Sequence, residues 1–230
     1  MKQSPSVKLI YEKLLHHYGR LHWWPAKSKL EIMVGAILTQ NTSWQNVEVA
    51  LEILIDSDML SCKKIISSSD EKFADLIRPA GLSNVKTKRI KSLANFILAT
   101  CNDNVSQLQS WNSSVLRKSL MNIHGVGPET SDAILLYALN KPFFVIDNYT
   151  RRMMRRIGIF PTKDTYDSWQ SIFDTAINKD TQTYKEYHAL VVENCKLHCR
   201  KFPYCGGCPL REICNYANKS YSTRGTHLSN

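Results

Sequence analysis

Three groups of residues in this sequence are equipped for chemistry. Asp147 is a lone carboxylate at the end of an apolar run, Phe143-Phe144-Val145-Ile146. Upstream, Gly125-Val126-Gly127 is a tight turn ahead of Pro128. Backbone N–H groups of such a turn, at a helix N-terminus, form a phosphate site. Downstream, Cys199, Cys205, Cys208 and Cys214 stand in the pattern C-x5-C-x2-C-x5-C. Thiols this close in sequence have no core of their own, and a bound metal holds such a loop together. Structural zinc sites usually pair two short knuckles across a longer gap. A single CxxC between two five-residue arms better suits an iron–sulfur cluster, with zinc as the alternative. Arg200 and Lys201 lie inside the first arm, where a rigid loop would make them a phosphate clamp. Cys195 reads as a helix residue just before the loop, and Cys62 and Cys101 as small buried hydrophobes.

Helices must position these residues. Leu116, Leu120 and Ile123 recur at helical spacing before the glycine turn, and Pro128 suits the first position of the helix after it. The two glycines permit backbone conformations closed to other residues. Ile134, Tyr137 and Ala138 mark the buried face of that second helix, which ends at Asn140 and Pro142. Asn148 begins another helix, so Asp147 also reads as its N-cap. Arg151, Arg152, Arg155 and Arg156 follow as i,i+4 pairs of like charge, which need carboxylates or a polyanion to compensate them.

Nearer the N-terminus, a first helix spans Val7 to Tyr18, and Leu21-His22-Trp23-Trp24-Pro25 follows as an aromatic stretch. Leu30 to Thr39 is an apolar helix that Gln40-Asn41 breaks. Thr42-Ser43-Trp44-Gln45 and Ser68-Ser69-Asp70-Glu71 have the capping-box pattern of new helices. Pro79-Ala80-Gly81-Leu82 is a turn with an apolar tip. The next helix opens on Lys86, Lys88, Arg89 and Lys91, suited to phosphate contact or to a solvated face. Trp169, Ile172, Phe173 and Ala176 mark one more helix and Tyr187 to Val192 another, and residues 218–230 form a polar tail.

The 230 residues carry 30 Lys and Arg against 20 acids, a formal net charge of +10 with pI near 9.3. That balance favours a polyanionic partner, nucleic acid before membrane. No apolar run is long enough to cross a bilayer, and no secretory h-region follows Met1, so the chain reads as cytoplasmic, or nucleoid-associated if bacterial. Helical periodicity is pervasive and strand alternation nearly absent, which makes the fold all-α.

Together these features resemble the helix-hairpin-helix DNA glycosylases of the endonuclease III superfamily, from about Leu21 to Tyr216. Leu38-Thr39-Gln40-Asn41-Thr42 looks like the family's first DNA-contacting corner, Leu120 to Asp147 like the hairpin with its catalytic acid, and Cys199 to Cys214 like the C-terminal 4Fe–4S loop. The resemblance implies a six-helix domain over 22–136 and a second domain from 1–21 and 137–217. It further implies a monomer acting on double-stranded DNA that contains a damaged base, with one nucleotide flipped out. Gln40 would fill the gap, Leu82 would wedge the opposite strand, Gly125, Val126 and Gly127 would grip the backbone, and Asp147 would be catalytic. Bifunctional members carry a lysine two residues after the second glycine; Glu129 stands there, which implies base removal without strand cleavage.

Trp23-Trp24-Pro25, Gln40 to Trp44 and Glu129 to Ala133 further resemble the branch containing bacterial 3-methyladenine DNA glycosylases. In that branch an aromatic sandwich holds a cationic purine, implying a base pocket of Trp23, Pro25, Trp44 and Glu129. A cation over an electron-rich ring gains about 0.5–2 kcal/mol. The cysteine loop is a departure from the compared member of that branch, which lacks it. Two rivals are a bifunctional glycosylase/lyase for oxidised pyrimidines and a non-enzymatic DNA-binding iron–sulfur module.

Overall fold

A computed structural model describes residues 5–21 and 23–222, with side chains through 218; His22 of the aromatic stretch and residues 1–4 and 223–230 lie outside the described residues. Every regular element among the described residues is helical. They group into two compact units, one of residues 24–141 and one of 1–23 with 142–230.

The central unit contains α2 (Lys29–Leu38), α3 (Trp44–Asp56), α4 (Cys62–Ser67), α5 (Asp70–Leu76), α6 (Ser83–Cys101), α7 (Ser113–Met121) and α8 (Pro128–Ala133). Short 3-10 turns lie at Arg78–Ala80 and Val105–Ser110. Helix α2 is apolar almost throughout and is buried except at Lys29 and Ile32. It packs against α3, α6, α8 and the wider turn that continues α8. That turn, Ile134–Ala138, is a π-helix whose five residues are all buried. Asn140 then turns the chain at φ 52. A π-turn re-aims the side chains that follow it, which periodicity at 3.6 residues does not anticipate.

The second unit is built from α1 (Val7–Tyr18), α9 (Asn148–Ile157), α10 (Tyr166–Ala176), α11 (Thr181–Leu197) and α12 (Asn215–Ser222). Helix α11 packs on α1 and α9. Phe144 stacks on Phe173 with centroids 3.9 Å apart, and Tyr184 and Tyr187 meet Phe144 edge-on. Such aromatic pairs contribute about 0.5–1.5 kcal/mol beyond their buried area. Helix α12 carries the chain past Ala217, where composition alone predicts only a polar tail.

Several local expectations are corrected. Ser43, not Thr42, caps α3, because Thr42 Oγ1 accepts instead from Asn46 Nδ2 at 3.1 Å. Ser69, not Ser68, caps α5; Ser68 Oγ donates 2.8 Å back to the Ile65 carbonyl at the end of α4. Only Gly125 of the turn has left-handed geometry, at φ 81; Gly127 lies at φ −86, open to any residue. Lys86 is neither a phosphate contact nor a solvated side chain, being 1 % exposed.

Candidate active site and cysteine loop

Asp147 ends an extended segment, two of whose backbone groups are bonded by α10 side chains. The Ile146 N–H donates to the Tyr166 hydroxyl at 3.2 Å, and Gln170 Nε2 donates to the Phe144 carbonyl at 2.8 Å. The segment therefore reaches Asp147 without a helix or strand ladder to hold it. Asp147 is the N-cap of α9, its Oδ1 accepting the Thr150 N–H at 2.7 Å. Its Oδ2 lies 3.5 Å from Nε2 of His188 on α11, both side chains being largely buried. Burial pushes this carboxyl up, but His188 and then the Thr150 hydrogen bonds pull it down further, and the net shift is downward. The result is an ionised carboxylate in a mostly dry setting.

His188 was missed by sequence reasoning. Its signal is the one histidine in the otherwise aromatic and aliphatic stretch Tyr187 to Val192. The imidazole also packs 5.9 Å from the Trp23 ring, and Lys196 Nζ lies 6.0 Å from that same ring. Trp23 is thus an aromatic neighbour of the Asp147–His188 pair within its unit. In the central unit Trp24, at φ 97, packs against Trp44 and Tyr137 at 5.1 and 5.0 Å. Gly35 makes room for it, since a Cβ there would meet the Trp24 ring at 3.1 Å. Trp44 is half-buried and Pro25 exposed.

The hairpin joins α7 and α8. Arg117 holds buried Asp132 through a bidentate pair at 2.6 and 3.0 Å. The Val126 N–H is used within the turn, donating to Ile123 O at 3.0 Å, so that amide is engaged internally. Gly127 opens α8 without a side-chain cap, and Glu129 is exposed on the first turn. Gln40 reaches the hairpin, Nε2 donating to the Gly125 carbonyl and to Thr130 Oγ1, each at 3.0 Å. Leu82 is 57 % exposed and sits in left-handed geometry at φ 48. A leucine held there costs about 1–2 kcal/mol relative to ordinary backbone.

The α9 arginines are compensated within the protein. Arg151 and Arg155 both pair with Asp164. Arg152 Nε donates to the Cys199 carbonyl at 2.7 Å, and Arg156 donates to the Arg200 and Lys201 carbonyls at 2.6 and 3.0 Å. The first arm of the cysteine loop is thereby fastened to α9. Arg200 and Lys201 have exposed side chains, beside Phe202 at 83 % exposure.

Cys199, Cys205, Cys208 and Cys214 line one cavity together with Arg156 and Arg211. Among the described residues no set of three or more His, Cys, Asp or Glu converges closely enough to hold a metal ion. A cubane cluster needs its thiolates spread around it and carries negative charge overall, and both the shared cavity and the flanking arginines fit that donor set. The Cys199 thiol is held below its ordinary value, first by its neighbour Cys195 and then by Arg156, whose guanidinium donates to its sulfur at 3.3 Å. Cys195 is buried, and Cys62 and Cys101 are core residues at 0 and 3 % exposure.

These all-helical units, with a hairpin in one and a capped carboxylate in the other, define a class of helix-hairpin-helix enzymes. The profile of the HhH-GPD superfamily of base excision DNA repair proteins matches residues 34–179. A Methanocaldococcus jannaschii protein described as a DNA repair glycosylase is 47 % identical over 206 residues, covering 89 % of this chain and 94 % of that one. The structure of a Helicobacter pylori 3-methyladenine DNA glycosylase bound to 1,N6-ethenoadenine is 29 % identical, with a TM-score of 0.72 over 84 % of this chain and 98 % of that one. An endonuclease III–DNA complex shares the fold at a TM-score of 0.82 and 18 % identity, over 96 % of this chain and all of that one. The chain belongs to the HhH-GPD superfamily of base excision DNA repair proteins and is a DNA glycosylase, an enzyme acting on N-glycosyl bonds.

No helix among the described residues is long and apolar enough to cross a membrane.

Proposed function

We propose that this glycosylase is monofunctional, removes a cationic alkylated purine such as 3-methyladenine from double-stranded DNA, and leaves an abasic site uncut. The observation that carries base removal is Asp147, a largely buried carboxylate held below its ordinary range by His188 and the α9 N-terminus. When the C1′–N bond breaks, its electron pair leaves with the base and positive charge develops on the sugar. An ionised carboxylate stabilises that charge in a low-dielectric site. Water then bonds to C1′ and its proton passes to solvent. A base that is already cationic departs neutral and needs no added proton.

Trp23, beside His188, offers a ring face suited to such a cation, and Pro25, Trp44 and Glu129 are assigned to the base pocket by the same resemblance. Gln40 and Leu82 are assigned to the gap and the opposite strand, Gly125, Val126 and Gly127 to the backbone, and Arg200 and Lys201 to phosphates. Glu129 has no amine to form an imine with the sugar, which supports base removal alone. Cys199, Cys205, Cys208 and Cys214 are assigned to a 4Fe–4S cluster, which would brace the loop without acting on the base.

A panel of lesion duplexes, followed by alkali to reveal abasic sites, tests the substrate: release of 3-methyladenine is expected, and release only of oxidised pyrimidines overturns it. Borohydride on an abasic duplex is expected to trap nothing, since a covalent adduct requires a lyase amine. Visible absorbance with iron and sulfide analysis of the purified protein tests the cluster.

A further inference from the structure

Helix α6 joins the parts of the central unit assigned to DNA. Lys86 Nζ donates to the Leu38 carbonyl and to the Ala80 carbonyl, each at 2.7 Å. Leu38 is two residues before Gln40, and Ala80 two before Leu82. Both carbonyls end helical turns, where no intrahelical partner exists and the peptide dipoles favour a cation. The amine is buried and is pushed down to about 8, first by burial and then by Arg89. It keeps two donors whether charged or neutral.

Arg89 lies three residues on. Its guanidinium donates to Oε1 of Gln40, while Nε2 of that same amide donates to Gly125 O and Thr130 Oγ1. The Arg89 methylenes cross the Gly125 α-carbon so closely that any Cβ there would collide with them. Gln40 is therefore held at both ends of its amide. The strained, exposed Leu82 is flanked by two bonds from one residue: the Lys86 N–H to the Leu82 carbonyl at 2.9 Å, and Nζ to Ala80. Backbone strain of this kind persists only where the surroundings over-determine it.

We propose that Lys86 and Arg89 are positioning residues that lock the Gln40 corner, the Leu82 turn and the Gly125 hairpin into one rigid platform for damaged DNA. What the platform touches rests on the proposed function above; the locking rests on contacts within the central unit. In a bonded frame of this kind the three points move together, so the DNA distortion read at one is read at all.

The test uses the full-length protein with Lys86→Met, Arg89→Met and Arg89→Lys, read by amide hydrogen exchange of the free protein. Binding to a duplex with a tetrahydrofuran abasic analogue, relative to an undamaged duplex, is the second measurement. In Lys86→Met, exchange at 39–41 and at 80–83 is expected to accelerate together, by about tenfold or more, as a local opening. The preference for the abasic analogue is expected to fall about tenfold. Arg89→Met is expected to loosen 39–41 and 124–127 but not 80–83, and Arg89→Lys, which keeps a donor, to restore much of the protection. Unchanged exchange at these corners, or loosening spread evenly over the core, overturns the proposal, as does an undiminished preference in variants that have loosened. If Lys86→Met does not fold, the Arg89 pair decides. A wild-type protein with no preference for the abasic duplex sinks the proposed function, while the exchange data still decide the locking.

Discussion

Asp147 and His188 are one unit of chemistry. Asp147→Asn keeps an oxygen to cap α9 and removes the charge. Base release is expected to fall about 10²–10³-fold, by analogy with removing one electrostatic stabiliser, while binding to an abasic-analogue duplex persists. Single-turnover excision measures this, and near-normal turnover would remove Asp147 from the mechanism. The pH dependence follows from the direction of its shift. The folded carboxyl lies below its ordinary value of 3.8, so on acidification the unfolded chain takes up the proton first. The stability it contributes is fully present above 3.8 and is lost as pH falls through the lower folded value. His188→Gln removes the largest downward influence, and the acid limb of the pH–rate profile is expected to move to higher pH. An acid limb that stays in place would show that α9 alone keeps Asp147 ionised.

Helix boundaries here depend on single oxygens. Ser43 accepts the Asn46 N–H at 3.4 Å while the Thr42 hydroxyl is occupied by a side chain. Ser43→Ala is therefore expected to cost about 1 kcal/mol, and Thr42→Ala clearly less, in denaturant unfolding. The reverse order would restore Thr42 as the cap. Both residues have the right type for the role, and adjacent hydroxyls cannot be ranked without their three-dimensional partners. The α9 arginines make the same point. Their like-charge spacing signals a need for compensation, but Asp164 and the carbonyls of Arg200 and Lys201 come from distant segments. Periodicity likewise finds the helix after the hairpin and misses its π-turn, since an inserted residue leaves composition unchanged.

For the molecule as a whole, the charge of +10 is the footprint of a polyanionic partner. Removing one cation that neutralises a phosphate should reduce the slope of log binding constant against log salt by about 0.9. Arg200→Ala combined with Lys201→Ala is expected to lower that slope by about twice as much. An unchanged slope would place the phosphate grip elsewhere. Asp164 absorbs two arginines and carbonyl groups absorb two more, so much of the positive charge on α9 is already committed inside the fold.

The all-α class, most helix spans, the hairpin and the cysteine spacing were legible in one dimension, because local hydrogen bonding, a 3.6-residue period and turn chemistry act over a few neighbours. Asp147 as the cap of α9 was legible for the same reason. His188 beside it was not, because the two are 41 residues apart and only packing of α11 on α9 brings them together. Lys86 was misread because a helix with a basic start looks solvated until two carbonyls from other elements close over its amine. Short-range physics writes itself into the order of residues. The state of a buried charge belongs to whatever the fold places around it.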